Sequence, residues 1–370
     1  MEDTMKKLSF FLFLLTFAAC VFAAEKIQLD KIKLPKGFHI QLFTDQIPRA
    51  RAMCYSPSGV LYVGSWNGNV YAVVDADKDW KPDSVTVVAS GLDMPVGVDF
   101  YKGDLYISSH SKIVKLPGIE KDLDHPPLPV TVYDALPKDM AHGWKFIRFG
   151  PDGWLYVPIG APYNIGISKN PVYATIARMT PDGKNFEIFA YGIRNTVGFD
   201  WDPATGELWF TENGRDWLGD NAPPDELNKA PVKGLHFGYP YLHGKSIPDP
   251  IYGKQAPDMK FTLPEQELGA HVAALGMRFY TGKMFPEEYY NQIFIAEHGS
   301  WNSSVPIGYR ITLVRIVNGK AAGYEVFAEG WLQKDGVWGR PADVVVAPDG
   351  SLLVSDDKAG AVYRIYYDGK

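Results

Sequence analysis

Short apolar runs follow small polar turns again and again along this chain. Val60-Leu61-Tyr62-Val63 follows Pro57-Ser58-Gly59, and Trp154-Leu155-Tyr156-Val157 follows Pro151-Asp152-Gly153. The pattern returns at Asp104-Leu105-Tyr106-Ile107, Glu207-Leu208-Trp209-Phe210 and Ser351-Leu352-Leu353-Val354, with a weaker copy at Gln292-Ile293-Phe294-Ile295. A second apolar run precedes each, at residues 52–55, 96–100, 146–149, 197–201, 275–280 and 343–346. Strand, glycine-containing turn, strand is a hairpin signature. Most copies lie roughly 45–60 residues apart, the period of a four-stranded blade. The chain therefore reads as all-β, a six-bladed β-propeller. Only the interval from Gly206 to Asn291 is longer, and its Pro-rich stretch 221–264 predicts inserted loops. A β-sandwich would also give hairpins, but copies spread over the whole chain suit radial repetition better. Little amphipathic helix supports an α/β reading.

The start of the chain has another character. Lys6 and Lys7 precede an apolar run over 8–19, and small residues follow. That order predicts a signal peptide over 1–23, cut after Ala23, with the propeller domain over 24–370. A second reading makes Cys20 a lipidated first residue, which would be the chain's one link to a membrane. The run is too short for an ordinary span. Either reading exports the protein to the periplasm or beyond the cell. Past Ala23 the one cysteine is Cys54, so no internal disulfide is expected. Net charge is −6 with no basic block, which argues against a nucleic-acid partner.

Repeat register also predicts where a site would lie. Residues just before each first strand and just after each second strand share one end of the propeller. The first set is Arg51, Asp93, His142, Arg194 with Asn195, His271 and Arg340. The second is Trp66, His110, Asn164, Asn213, His298 and Asp356. The opposite end carries ordinary turn residues. Cations and neutral donors around one opening suit a ligand rich in carboxylates or carbonyls. Among them, His142 could accept a proton near neutral pH. The stretch Thr211-Glu212-Asn213-Gly214-Arg215-Asp216, with Asp225-Glu226 beyond it, is dense in the hard oxygen donors that Ca²⁺ prefers. Its spacing is not that of an EF-hand, and a polar loop with Asx-turns would look similar.

These residues form a set. Gly192-Ile193-Arg194-Asn195, the Thr-Glu-Asn-Gly-Arg-Asp loop, Asp225-Glu226 and Phe237-Gly238-Tyr239-Pro240 resemble the soluble PQQ-dependent sugar dehydrogenases. His142-Gly143-Trp144, Glu297-His298-Gly299-Ser300-Trp301-Asn302 and Trp338-Gly339-Arg340-Pro341 resemble the sorbosone/pyranose dehydrogenase-like branch. The resemblance implies oxidation of a sugar (an aldose) or a related alcohol or aldehyde. It implies PQQ and Ca²⁺ as cofactors, and a cytochrome or quinone as the further electron acceptor. It makes His142 the general base, with the hydride passing from the same carbon to the quinone. It sets Arg194 and Asn195 at the reacting quinone oxygen, and His298 and Arg340 at the PQQ carboxylates. His271 would line the cofactor, Arg51 would contact it, and the carbonyls of Gly214 and Arg215 would bind Ca²⁺. Two positions depart from the glucose dehydrogenase branch. Ala141 stands where that branch has an acidic residue, so another group must fix the His142 tautomer. His298 stands where that branch has lysine. Two other classes remain: a Ca²⁺-dependent lactonase-like propeller, using residues such as Asn164, Asn213 and Asp356, and a non-catalytic ligand-binding propeller of the cell envelope.

Overall fold

The structure, a computed structural model, describes residues 27–370. The expected signal peptide and Cys20 lie outside them. Each predicted hairpin forms the inner half of a blade. Blade 1 begins with Ala50–Tyr55 and Leu61–Ser65, blade 2 with Val98–Tyr101 and Asp104–Ser109, and blade 3 with Arg148–Phe149 and Leu155–Ile159. Blade 4 begins with Phe199–Trp201 and Leu208–Glu212, and blade 5 with Ala274–Phe279 and Ile293–Glu297. In blade 6 the hairpin is Pro341–Val346 and Leu352–Asp356. Two more antiparallel strands complete every sheet, so the fold is the expected six-bladed propeller.

The turns explain the repeated glycine. Gly59, Gly153 and Gly350 sit at φ +98°, +76° and +90°, a region costly for a residue with a Cβ. Each closes a similar loop; Ser56 N donates to Val60 O at 3.0 Å, and Gly150 N to Trp154 O at 2.8 Å.

Blade 6 closes the ring. Its outermost strand is the N-terminal Phe38–Thr44, paired antiparallel with Ala361–Tyr367 near the other terminus. This seam ties the two ends of the described chain together. Phe38 anchors it, packing edge-on against Phe285, Tyr289 and Phe327 at 4.8–5.2 Å between ring centroids.

Polar staples link blades in pairs. Asp99 of blade 2 accepts from Phe149 N at 2.6 Å, Asp200 of blade 4 from Phe279 N at 3.0 Å, and Asp343 of blade 6 from Met53 N at 2.9 Å. Hydroxyls follow the same alternation. Ser108 donates to Lys145 O at 2.7 Å, Thr211 to Leu275 O at 2.6 Å, and Ser355 to Arg51 O at 2.7 Å. These bonds satisfy inner-strand backbone groups in a crowded centre.

The long interval resolves into more structure than loops. Pro224–Ala230 is the third strand of blade 4, and Gln266–Ala270 is its fourth. The insertion proper lies between them and includes the small hairpin Leu242–His243 with Ile247–Pro248. Asp225 and Glu226 thus stand on a strand, not in a loop. Cys54 is a buried free thiol.

Candidate active site

At one end of the propeller a cavity of about 480 Å³ opens between blade tops. Arg51, His142, Arg194, Asn195, His271 and Arg340 line it from the residues that enter first strands. Trp66, Asn213 and His298 line it from those that leave second strands. Repeat register therefore selects the end at which the cavity opens. It also over-collects, because Asp93, His110, Asn164 and Asp356 do not line the cavity. Asp93 accepts from His110 Nδ1 at 3.1 Å, and Asp356 binds Arg340 N at 2.8 Å and the Tyr363 hydroxyl at 3.0 Å.

His142 enters blade 3 at φ +50°, an uncommon backbone setting for a side chain of its size. Its Nδ1 lies 2.7 Å from the carbonyl oxygen of Ala161. A carbonyl only accepts, so Nδ1 carries the proton and Nε2 keeps its lone pair. The missing acid at Ala141 is thus replaced by a backbone carbonyl. Burial, and then the Arg194 charge, push the imidazole down to about 3, so it is neutral at physiological pH. The ring sits close to Gly160, where a Cβ would lie 2.5 Å from His142 Cβ. Trp144 stands across it, edge to face, with ring centroids 5.9 Å apart.

Arg194 enters blade 4 and is almost wholly buried. Its Nε donates to Asn164 O at 2.8 Å and its Nη2 to Asn164 Oδ1 at 2.9 Å. Asp216 pairs with the same Nη2 at 3.1 Å, and Nη1 reaches Asn213 O at 3.2 Å. These contacts hold the guanidinium plane rigid. Asn195 donates to Asn213 Oδ1 at 3.1 Å, and Asn213 in turn donates to Ala274 O at 2.7 Å. The sequence reading missed Asp216 and Asn164 as the supports of Arg194.

The opposite wall centres on a residue that repeat register passed over. Asp357 pairs with Arg51 Nη1 at 2.9 Å and accepts from His298 Nε2 at 2.8 Å. Burial alone would raise the Asp357 carboxyl, but His298 and Arg51 together hold it below the usual carboxylate range. Burial lowers His298 against the pull of Asp357, to which its Nε2 donates. Arg340 is held by carbonyls instead, with Nε 3.0 Å from His298 O and Nη2 2.7 Å from Gly299 O. His271 donates from Nε2 to Gly219 O at 2.8 Å.

The expected cation ligands divide. Gly214 and Asp225 line the cavity. Both Asp225 oxygens already accept amides, from Gly214 N at 2.9 Å and Ala274 N at 3.0 Å. The Arg215 side chain turns away to Asp249 at 2.6 Å. Glu226 lies behind the wall, its carboxyl pushed up to about 7 by burial. There Asn228 donates to Glu226 at 2.9 Å and to Glu212 at 3.4 Å. Among the described residues, one group brings three carboxylates together, Asp75, Asp77 and Asp83, and it lies outside the cavity.

The donor set suits a flat, multiply carboxylated quinone. Arg51, Arg194 and Arg340 face one space, and Asn195 adds a neutral amide. Trp144 Nε1 in the same wall is buried without a partner, a donor that a bound acceptor would satisfy.

Comparison with known proteins agrees with the fold. A family described as domain of unknown function DUF7133 matches residues 24–362. An uncharacterized protein of Borreliella burgdorferi is 37% identical over 94% of this chain and 93% of its own length. The aldose sugar dehydrogenase YliI of Escherichia coli is 26% identical over 64% of this chain and 63% of its own length. The holo form of the pyranose dehydrogenase PQQ domain from Coprinopsis cinerea superposes with a TM-score of 0.76 at 18% identity, over 90% of this chain and 97% of that one. The resemblance to soluble PQQ-dependent sugar dehydrogenases is borne out.

Proposed function

The chain belongs to the DUF7133 family, and from that premise, its propeller fold and its cavity we propose a PQQ- and Ca²⁺-dependent dehydrogenase of aldoses or related alcohols and aldehydes. The observation that carries the proposal is His142, a neutral base whose proton is locked on Nδ1 by Ala161 O at 2.7 Å. Its Nε2 lone pair is the group available to a sugar hydroxyl, beside Arg194 and Asn195 in one cavity.

PQQ would be held by Arg51, His271, His298 and Arg340, with the Gly214 and Arg215 carbonyls supplying the Ca²⁺ site. When bound, it would supply the two-electron acceptor that no side chain of this protein can provide. Arg194 and Asn195 present fixed donors where negative charge would develop, and their rigid supports spare reorganisation at that moment. His142 takes the hydroxyl proton. An external acceptor, a cytochrome or quinone, would take up the electrons. Export to the periplasm or beyond belongs to the same proposal, and cell fractionation checks it.

The lactonase reading has less support. Asn164 and Asn213 are committed to Arg194 and Asn195, and Asp356 to Arg340 N and Tyr363. A metal centre built from them would first have to break these bonds. A purely ligand-binding propeller leaves the locked tautomer of His142 without a use.

A spectral titration of purified apo-protein with PQQ, with and without Ca²⁺, tests the proposal. Saturable binding that needs Ca²⁺, followed by aldose-dependent dye reduction, is expected. No binding at micromolar PQQ with Ca²⁺ present would sink it, and lactone hydrolysis without PQQ would favour the hydrolase.

A further inference from the structure

His142 is carried by a stretch that the core barely holds. Lys138, Asp139, Met140 and Ala141 are all exposed and belong to no strand. Met140, the one large apolar side chain among them, is 66% exposed. The chain then turns through φ +50° at His142 itself. The bond to Ala161 O orients the imidazole, but it leaves the backbone beneath the ring to other contacts. A working base must keep its place to within about half an ångström.

Two buried side chains supply those contacts, one on each side of His142. His110, just past the second strand of blade 2, donates from Nε2 to Asp139 O at 2.8 Å. Asp93 holds the other nitrogen of the same ring at 3.1 Å. Lys145 reaches back and donates from Nζ to Gly143 O. Gly143 N donates to Met140 O at 3.1 Å, which closes the turn between the two anchors. The fit is tight: a Cβ on Gly143 would lie 2.7 Å from both Asp139 O and His110 Nε2. His110 and Lys145 are 5% and 2% exposed, and neither lines the cavity.

Lys145 carries the argument furthest. Among the described residues its ammonium forms no ion pair, and burial pushes it down to about 8 against the attraction of Asp139. An ammonium buried without a carboxylate partner destabilises a fold, and an apolar side chain of similar length would fill the space better. Stability therefore gives no reason for a lysine here, whereas the carbonyl beside the base does.

We propose that Lys145 and His110 are positioning residues for the proton-accepting step: they clamp the backbone on both sides of His142 and so hold its Nε2 in the cavity. The inference rests on the reading of His142 as the base, and adds two residues that touch neither sugar nor cofactor. Loss of either frees one end of the turn. The Lys145 charge also adds to burial and to Arg194 in keeping the His142 ring neutral.

Lys145→Met removes the ammonium and keeps the bulk, and His110→Phe does the same on the other side. In the PQQ-loaded protein each should lower kcat for glucose by about tenfold or more, with KM little moved and the PQQ titration unchanged. Lys145→Gln, which restores an uncharged donor, should recover part of the rate. The denaturation midpoint of Lys145→Met should stay at or above that of the wild type, so rate and stability move apart. The apo-protein supplies a readout free of turnover. NMR spectra of labelled histidine rings should show His142 as the Nδ1–H tautomer in the wild type and as a mixture in both variants, with His142→Ala identifying its signals. Full kcat in both variants, or a fall in kcat that comes only with a lowered midpoint, would overturn the clamp. Where His110→Phe proves unstable, Lys145→Met decides. A loosened tautomer in the variants of a protein that shows no PQQ-dependent turnover upholds the clamp and overturns the dehydrogenase reading. Wild-type turnover, with full rate and a fixed tautomer in the variants, does the reverse.

Discussion

The Nδ1 of His142 sits 2.7 Å from the carbonyl oxygen of Ala161, and that one contact decides which ring nitrogen can act. A carboxylate partner would tolerate a charged ring; a carbonyl fixes the tautomer without adding charge. His142→Ala should therefore lower kcat by about 10²–10⁴, the usual worth of a positioned base. PQQ should still titrate, because the cofactor is assigned to other residues. Loss of PQQ binding in the variant would move His142 from base to cofactor ligand.

Burial and the Arg194 charge also set a pH signature. A base works when unprotonated, and this ring is pushed down to about 3. The acid limb of kcat/KM should then be absent near the ordinary histidine value of 6.5, and activity should hold well below pH 6. Stability has the same sign. The unfolded ring takes up a proton below about 6.5 and the folded one does not, so this contribution to stability is lost as pH falls from there towards 3. A kcat/KM profile from pH 4 to 8 checks the first point; an acid limb centred near 6.5 would contradict it.

Gly160 should be intolerant for a steric reason. A methyl there would lie 2.5 Å from His142 Cβ, so the base must shift. Misplacement of about 1 Å can cost of order 10²-fold in rate. Gly160→Ala is expected to lose kcat and also to lower the denaturation midpoint, because a methyl so near the His142 backbone overpacks the site by about 1–3 kcal/mol. A fully active variant would show that the His142 position is not critical.

Much of this site was legible, and the failures have a common cause. Hairpins repeat in sequence, so the blades, the ring and the end that carries the cavity followed from Pro-x-Gly turns and apolar runs. His142, Arg194, His298 and Arg340 fell into register for the same reason. Asp357 did not, because it stands one residue beyond the register position and acts across the blade 1–6 seam, 306 residues from Arg51. Asp216 was visible as one more acid in a polar loop, and nothing local marks it as the partner of Arg194. Glu226 looked like a cation ligand by composition, yet strand alternation turns it behind the wall beside Glu212. The closing strand Phe38–Thr44 carries no repeat of its own, since its hairpin partners lie at the far end of the chain.

Asp357 supplies the sharpest stability test. It is the one carboxylate shared by Arg51 and His298, at 2.9 and 2.8 Å, and all three are largely buried. Removing its charge leaves the Arg51 cation without a counter-ion inside the protein, a change that typically costs about 3–5 kcal/mol when a buried pair is broken. Asn still offers one acceptor oxygen, so Asp357→Asn should fall near or below the lower end. The pH dependence follows from the depressed carboxyl. Its contribution is fully present above the ordinary aspartate range and is lost as pH falls through the folded value, when the carboxyl takes up its proton. Wild-type and Asp357→Asn should therefore differ most at pH 7 and converge in strong acid. The variant should also weaken PQQ binding, because Arg51 and His298 are no longer aimed. Urea midpoints at pH 7 and pH 3, with a PQQ titration at pH 7, measure all three effects. A constant stability gap at both pH values would mean that Asp357 acts through shape and hydrogen bonding, not through its charge.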